Sequence, residues 1–288
     1  MKKIRIGITG STGFVGSAVL KHLLQTRGVA IKLDDRVHPD KKPPRAFGQE
    51  RLDWILHFGA TKSIDASFER PVEIYRRNLQ STLTALEIAA AMKSRFLYMS
   101  SYVYGNPAYL PVDEKHPTSI LNPYMGSKLL GEQICSHVHQ LANISVLILR
   151  GFTLYGPLQR DVQFIPSVVD SIRNGKPIIV NNPNPIRDYL HIDDFVRLIS
   201  KIVSSGFSGF DIYNVGGGKP YKNIEVARMA VKLAGNRVPV NIINIERRND
   251  VAECYADIAK VSRDFKWNPE MDLLSGLKNC MEQDLIFE

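Results

Sequence analysis

Gly7-Ile8-Thr9-Gly10-Ser11-Thr12-Gly13-Phe14-Val15-Gly16 closes the apolar run Ile4–Ile8 and opens a helix-period pattern carrying Val15, Ala18, Val19 and Leu23. This order predicts a strand, a tight turn and a helix. Glycines at Gly7, Gly10, Gly13 and Gly16 let the backbone turn sharply and approach a ligand closely. A pyrophosphate can then rest on the free N–H groups and the positive dipole end of the helix. A glycine-rich turn without a ligand is the competing reading, and the strand before it and helix after it favour dinucleotide binding.

Outward from this stretch, short apolar runs alternate with helix-period segments. The runs are Val29–Leu33, Trp54–Phe58, Phe96–Ser100 and Ile144–Arg150, and helices are expected after Pro71 and from Pro123. Such alternation builds an α/β fold, a doubly wound parallel sheet of the Rossmann type. After Gly151 the rhythm loosens around Asn181–Pro185, and two or three more helices follow. The expected division is a dinucleotide-binding domain of 1–157 plus 188–215 and a smaller α/β substrate domain of 158–187 plus 216–288. Between Leu33-Asp34 and Asp53 lie only about 19 residues, with Pro39, Pro43, Pro44 and Gly48 among them. One crossover alone takes at least roughly 10 to 12 residues, so the third strand of the usual order is expected to be missing or vestigial. A regular parallel strand between residues 36 and 50 would overturn that.

With 288 residues, 44% of them hydrophobic, the chain has ample apolar material for a core. Its net charge of +8 suits an anionic partner. The lysines and arginines are dispersed and form no aromatic-basic stripe, so no nucleic-acid partner is expected. Met1-Lys2-Lys3 is a positive start, but the residues behind it are too polar for an export signal. No stretch approaches the roughly 18 apolar residues of a membrane span, and a cytoplasmic protein is expected. Cys135, Cys254 and Cys280 lie far apart, the seven histidines are scattered, and no metal-ligand spacing results.

About 24 residues after Gly10, at the end of the next expected strand, stand Asp34 and Asp35. A carboxylate there accepts hydrogen bonds from the adenosine ribose hydroxyls, which favours NAD. Arg36 next to them can pair with a 2′-phosphate and keeps NADP open, and solvated loop charges are the plain alternative. Ser100 ends an apolar strand, and Tyr124 and Lys128 stand four residues apart on the helix begun by Pro123. At that spacing they share a helix face. A phenol with an ordinary pKa near 10 is a weak base at neutral pH, but a neighbouring ammonium and a nicotinium ring favour its phenolate. Tyr124 can then take a hydroxyl proton while hydride leaves the same carbon, with Ser100 holding the oxygen. Taken alone, a tyrosine and lysine at this spacing are common on surface helices.

Further ordered motifs accompany these residues. They are Asp53-Trp54-Ile55-Leu56-His57-Phe58-Gly59-Ala60, Pro71 followed by Asn78, Ser100-Ser101-Tyr102-Val103-Tyr104-Gly105, Pro123-Tyr124-x-x-Ser127-Lys128, Leu149-Arg150, Tyr155-Gly156-Pro157, Arg187-Asp188-Tyr189 with Asp193-Asp194, Tyr213-Asn214-Val215-Gly216 and Asp257-Ile258-x-Lys260. Over nearly its whole length the chain resembles the extended short-chain dehydrogenase/reductases, in particular their nucleotide-sugar epimerases and dehydratases. The resemblance implies a tightly held dinucleotide, a nucleotide sugar clamped by the C-terminal half, and a homodimer formed through two helices per subunit. It implies a catalytic trio of Ser100, Tyr124 and Lys128. It implies cofactor contacts at Gly7, Gly10, Thr12, Gly13, Phe14, Val15, Gly16, Asp34, Asp35, Arg36, Phe58, Gly59, Ala60 and Asn78, with Tyr124 and Lys128. Arg187 and Arg247 match arginines that hold the nucleotide or its diphosphate, as a forked guanidinium suits phosphate oxygens. For Arg187 a salt bridge with Asp188 or Asp193 is the competing reading.

Three departures shape the expected chemistry. Thr153 stands where many relatives carry asparagine, and one hydroxyl replaces an amide's two donors and acceptor, so contacts near the diphosphate or sugar differ. Ser101 and Tyr102 replace the Asp-Glu pair of 4,6-dehydratases, which disfavours elimination of water. Dual epimerase-reductases carry a cysteine at the position of Tyr102, which here walls the sugar pocket. The reading that remains is an NAD(P)-dependent nucleotide-sugar 4-epimerase working through a 4-keto sugar. The alternatives are a 4-reductase of 4-keto-6-deoxy sugar nucleotides and, from another class, a dinucleotide-sensing module without turnover.

Overall fold

The run that carries the first motif forms β1 (Ile6–Thr9), with all four residues buried. The computed structural model describes residues 4–26, 30–33, 51–61, 68–160, 163–245 and 250–283. Strands β2 (Ala30–Lys32) and β3 (Trp54–His57) flank β1 in parallel. Then come β4 (Arg95–Ser101), β5 (Val146–Gly151) and β9 (Phe210–Val215), giving the order β2-β1-β3-β4-β5-β9. Strands β3 and β5 are buried at every residue, as continuous apolar runs in parallel sheets are. The order reverses at β1, so the glycine loop leaves the sheet at its switch point, where such folds bind ligands. The expected absence of a third strand concerns residues 34–50, which lie outside the described residues.

Helix α1 (Phe14–Thr26) follows the loop, α2 (Pro71–Met92) precedes β4, and α3 (Pro123–Ala142) precedes β5. The α3 start is sharply defined. Asn122 accepts the Met125 N–H at 2.9 Å, and Pro123 occupies the first turn, where its missing N–H costs nothing. Leu52, Ile55, Leu86, Ile88, Phe96, Cys135 and Ile148 join the sheet to α2 and α3 in one apolar core.

The chain forms two compact units, and this sheet belongs to the first: residues up to Val103, Thr118–Gly151 and Val196–Tyr213. The second comprises Tyr104–Pro117, Phe152–Phe195 and the chain from Asn214 on. It holds β6 (Thr153–Tyr155), β8 (Ile186–His191), β10 (Pro220–Lys222) and β12 (Glu253–Cys254) in one sheet, and β7 (Ile178–Val180) beside β11 (Val240–Ile242) in another. Its helices are α4 (Phe164–Arg173), α6 (Asn223–Leu233), α7 (Ala259–Phe265) and α8 (Leu273–Gln283), while α5 (Ile192–Ser204) enters the first unit at Val196.

The second unit thus takes in 104–117, 152–157, 188–195 and 214–215, which sequence alone groups with the dinucleotide half. The reason lies in long-range pairing. Val112 N–H donates to Tyr255 O and the Asp257 N–H to Val112 O, the Tyr104 hydroxyl donates to Asn214, and β6 pairs with β8.

Candidate active site

In the first unit, Gly10 adopts φ +67°. A Cβ there would meet Gly59 N at 2.6 Å and the Phe58 carbonyl carbon at 2.7 Å. A left-handed conformation and this close approach both require glycine. The turn closes by Gly13 N–H to Gly10 O at 3.0 Å, and a Cβ on Gly16 would run into Gly10 O. Thr12 and Gly13 are exposed ahead of α1, whose first turn carries no acidic residue. An anion therefore meets a positive helix end with no opposing charge. That cradle fits the pyrophosphate of a dinucleotide. Phe14, Val15, Phe58 and Ala60 are half-buried around it, and Gly7 sits in β1 too close to Leu33 and Leu52 for a side chain. Asp34, Asp35 and Arg36 lie outside the described residues.

Beneath the loop is a buried polar node. Thr82 spends its hydroxyl proton on the Asn78 carbonyl at 2.8 Å, so His57 donates from Nε2 to Thr82 at 3.2 Å and accepts from Thr9 at Nδ1, 2.6 Å away. Burial, aided by the Lys128 charge, lowers the His57 pKa to about 3, which keeps the ring neutral. Asn78 accepts from Thr61 N–H at 2.7 Å and donates to the Ser127 hydroxyl at 2.9 Å. It therefore ties the loop after β3 to α3.

Tyr124 and Lys128 lie one turn apart on α3, with the Lys128 ammonium 6.0 Å from the Tyr124 ring centre and 5.0 Å from that of Tyr98. Lys128 is buried and donates to Met99 O at 2.7 Å. The expected lowering of the Tyr124 pKa is not what the free protein has. Burial pushes the phenol well above its ordinary value, and nearby Tyr102 adds to the shift. Spacing along a helix carries the ammonium but not the desolvation, and desolvation wins. Tyr124 therefore holds its proton at neutral pH.

Ser100, at the end of β4, donates to Glu132 Oε1 at 2.5 Å. Arg150 forks the same carboxylate, from Nε to Oε1 at 3.0 Å and from Nη2 to Oε2 at 2.7 Å. Glu132 is the residue that sequence reading overlooks. Its signal is the spacing Tyr124, Lys128, Glu132, which continues the same helix face by one more turn.

Ser101 and Tyr102 follow Ser100, both half-buried. In the second unit, half-buried Thr153 begins β6. Arg187 lies in β8 and pairs with Asp250 at 2.6 Å, not with Asp188 or Asp193. Asp188 instead accepts the N–H groups of Gly217, Gly218 and Ala256. Arg247 lies outside the described residues.

Residues 6–216 match the model of the NAD dependent epimerase/dehydratase family. The chain belongs to the NAD-dependent epimerase/dehydratase family. Among members of this family with similar sequences is the UDP-glucose 4-epimerase of Bacillus subtilis, 27% identical, the match covering 92% of each chain. The putative UDP-glucose 4-epimerase of Methanocaldococcus jannaschii is 28% identical across 95% of this chain and 96% of its own. Among solved structures, the UDP-glucose 4-epimerase of Bifidobacterium longum in complex with NAD+ and UDP superposes with TM-score 0.87 at 25% identity over 98% of both chains. RMD from Pseudomonas aeruginosa, complexed with NADPH, gives TM-score 0.87 at 25% identity over 97% of this chain and 98% of its own.

Proposed function

We propose that this member of the epimerase/dehydratase family is an NAD-dependent nucleotide-sugar 4-epimerase. The observation that carries the reading is the joint placement of the glycine cradle, Ser100, Tyr124 and Lys128 in one unit. No Asp-Glu pair stands at Ser101 and Tyr102 to divert a keto sugar into water loss. The UDP-sugar 4-epimerases among its relatives support the same assignment. Gly10, Gly13 and Gly16 with the α1 N-terminus would hold the dinucleotide, and Lys128 would face its ribose. A bound dinucleotide would supply the hydride acceptor and donor for C4. Tyr124 would exchange the C4 hydroxyl proton, and Ser100 would hold that oxygen. Arg187 would bind the diphosphate, since its fork suits phosphate oxygens. A 4-reductase uses the same trio, and the NADPH-bound RMD neighbour keeps that second reading in view. We also infer a homodimer through α2 and α3, supported by Val72, Leu83, Leu130 and Leu141, which expose apolar side chains on these helices.

The test is incubation of the purified protein with UDP-glucose and, separately, UDP-galactose, together with quantification of dinucleotide released on denaturation. Interconversion and close to one equivalent of NAD per chain are the expected outcome. Absence of interconversion across a panel of 4-epimer pairs, with NAD(P)H consumed on 4-keto substrates, would establish the reductase instead.

A further inference from the structure

Tyr98 and Ser100 stand two apart on β4, and their side chains leave the sheet on one face, where both meet α3. Tyr98 meets Lys128 there twice. Its ring centre lies 5.0 Å from the ammonium, within the range of a cation–π contact, and its hydroxyl donates to the Lys128 carbonyl at 3.4 Å. The ring is itself fixed. Its β3 register partner His57 lies nearly parallel to it at 5.8 Å, and its hydroxyl end runs over Gly131, where a Cβ would collide with it. Tyr98 and Lys128 are 1% and 2% exposed.

Burial sets the charges around this contact. It holds the Tyr98 phenol well above its ordinary pKa, so the ammonium faces a neutral ring. The titratable groups around the two residues are His57 of β3, which is neutral, Tyr124 and Cys135 of α3, both raised by burial, and Glu132, whose carboxylate Arg150 forks. Tyr102, after β4, faces Tyr124. A neutral ring attracts a cation through its quadrupole and leaves the charge uncancelled, whereas a carboxylate in the same place would cancel it.

We propose that Tyr98 is a positioning residue that acts through Lys128: its ring face and hydroxyl hold the ammonium one helical turn from Tyr124, with its charge left to favour the phenolate that takes the C4 hydroxyl proton. The Met99 carbonyl, 2.7 Å from the ammonium, fixes one direction and the Tyr98 ring a second. This inference rests on the 4-epimerase reading.

The test replaces Tyr98 by phenylalanine and by phenylalanines carrying one, two and three ring fluorines, which keep the shape of the ring while draining its negative face. Tyr98→Phe is the reference, since it retains the ring and loses only the long hydroxyl bond. With UDP-galactose as substrate, each added fluorine moves the rise of kcat with pH to higher pH, by roughly half to one pH unit across the series. At pH 7 kcat therefore falls about 3- to 10-fold while KM stays nearly constant. The contact is also read without turnover. Fluorination lowers Tm when position 128 is lysine and leaves it level in a Lys128→Gln background, where the amide keeps a donor for Met99 O but carries no charge. A pH profile that stays in place or moves to lower pH along the series overturns the proposal, and so does an equal fall of Tm in both backgrounds, which is what a ring that only fills space would give. A wild-type protein that interconverts no 4-epimers defeats the function reading before any variant is made, and the proposed role falls with it, whatever the Tm series says of the contact.

Discussion

The Asn78 side-chain amide donates to the Ser127 hydroxyl at 2.9 Å while its oxygen accepts from Thr61 N–H at 2.7 Å. One buried side chain of α2 thus fastens the loop after β3 to the helix of Tyr124 and Lys128. Asn78→Ala leaves buried donors and acceptors unpaired and should lower stability by about 2–4 kcal/mol. Urea unfolding at pH 7 checks this, and a loss below about 1 kcal/mol would mean that these bonds contribute little.

Tyr124→Phe removes the only phenol proton on the α3 stripe of Tyr124, Lys128 and Glu132 and keeps the ring packed. Turnover of UDP-glucose should fall roughly 10²- to 10⁴-fold, while the dinucleotide released on denaturation stays at the wild-type level. Turnover within a few-fold of wild type would remove Tyr124 from the reaction.

Arg187→Met cuts the ion pair with Asp250 and, on the proposed reading, the hold on the diphosphate. The expected result is a KM for the sugar nucleotide raised roughly 10- to 100-fold with kcat changed much less. Calorimetric titration with UDP alone should show the same loss. Equal affinity for UDP in both proteins would assign Arg187 to structure only.

His57 has a folded pKa of about 3 against an ordinary 6.5. A depressed folded pKa means the unfolded chain takes up the proton first on acidification. The contribution of His57 to stability is therefore complete above about pH 6.5 and is lost as pH falls toward 3. Relative to His57→Gln, the wild type should lose up to about 1.4 kcal/mol per pH unit within that window. Parallel unfolding curves for the two proteins between pH 6.5 and 4 would contradict it.

Asp188 runs the other way. Burial outweighs its three backbone N–H partners and raises its pKa from 3.8 to about 6. Its contribution is full below about pH 3.8 and is lost as pH rises through 6, a change of about 3 kcal/mol. The stability difference between wild type and Asp188→Asn should therefore shrink from pH 4 to pH 7. A difference that stays level would show that the N–H groups fully offset burial.

Local chemistry was legible in advance. Ile6 to Thr9, the glycine turn and α1 are contiguous, so their apolar run and turn residues carry the structure within one window of sequence. The start of α3 is legible for the same reason, since Asn122 and Pro123 act on their immediate neighbours. Other features depend on register and burial. Glu132 is 32 residues from Ser100 and 18 from Arg150, and only the pairing of β4 with β5 aligns those two for it. Tyr124 shows the same limit. Four-residue spacing names its cationic neighbour, but the direction of its pKa shift is decided by desolvation. The placement of 104–117 depends on the bridge between Val112 and Ala256, more than a hundred residues downstream.

The main chain passes from one unit to the other after Val103, Pro117, Gly151, Phe195 and Tyr213. No contiguous segment encodes either unit. On a ribosome, the first sheet cannot receive its last strand, β9, until residues 210–215 have emerged, by which time much of the second unit has also been synthesised. Domain-by-domain folding during synthesis, the usual course for chains of several domains, would therefore complete the first unit with Tyr104–Pro117 and Phe152–Phe195 of the second already on the chain and the rest of the second still to come. A single cut after Tyr213 leaves the first unit whole but still carrying two segments of the second, and a cut after Val103 leaves the second whole but still carrying two segments of the first, so no single cut frees either unit by itself.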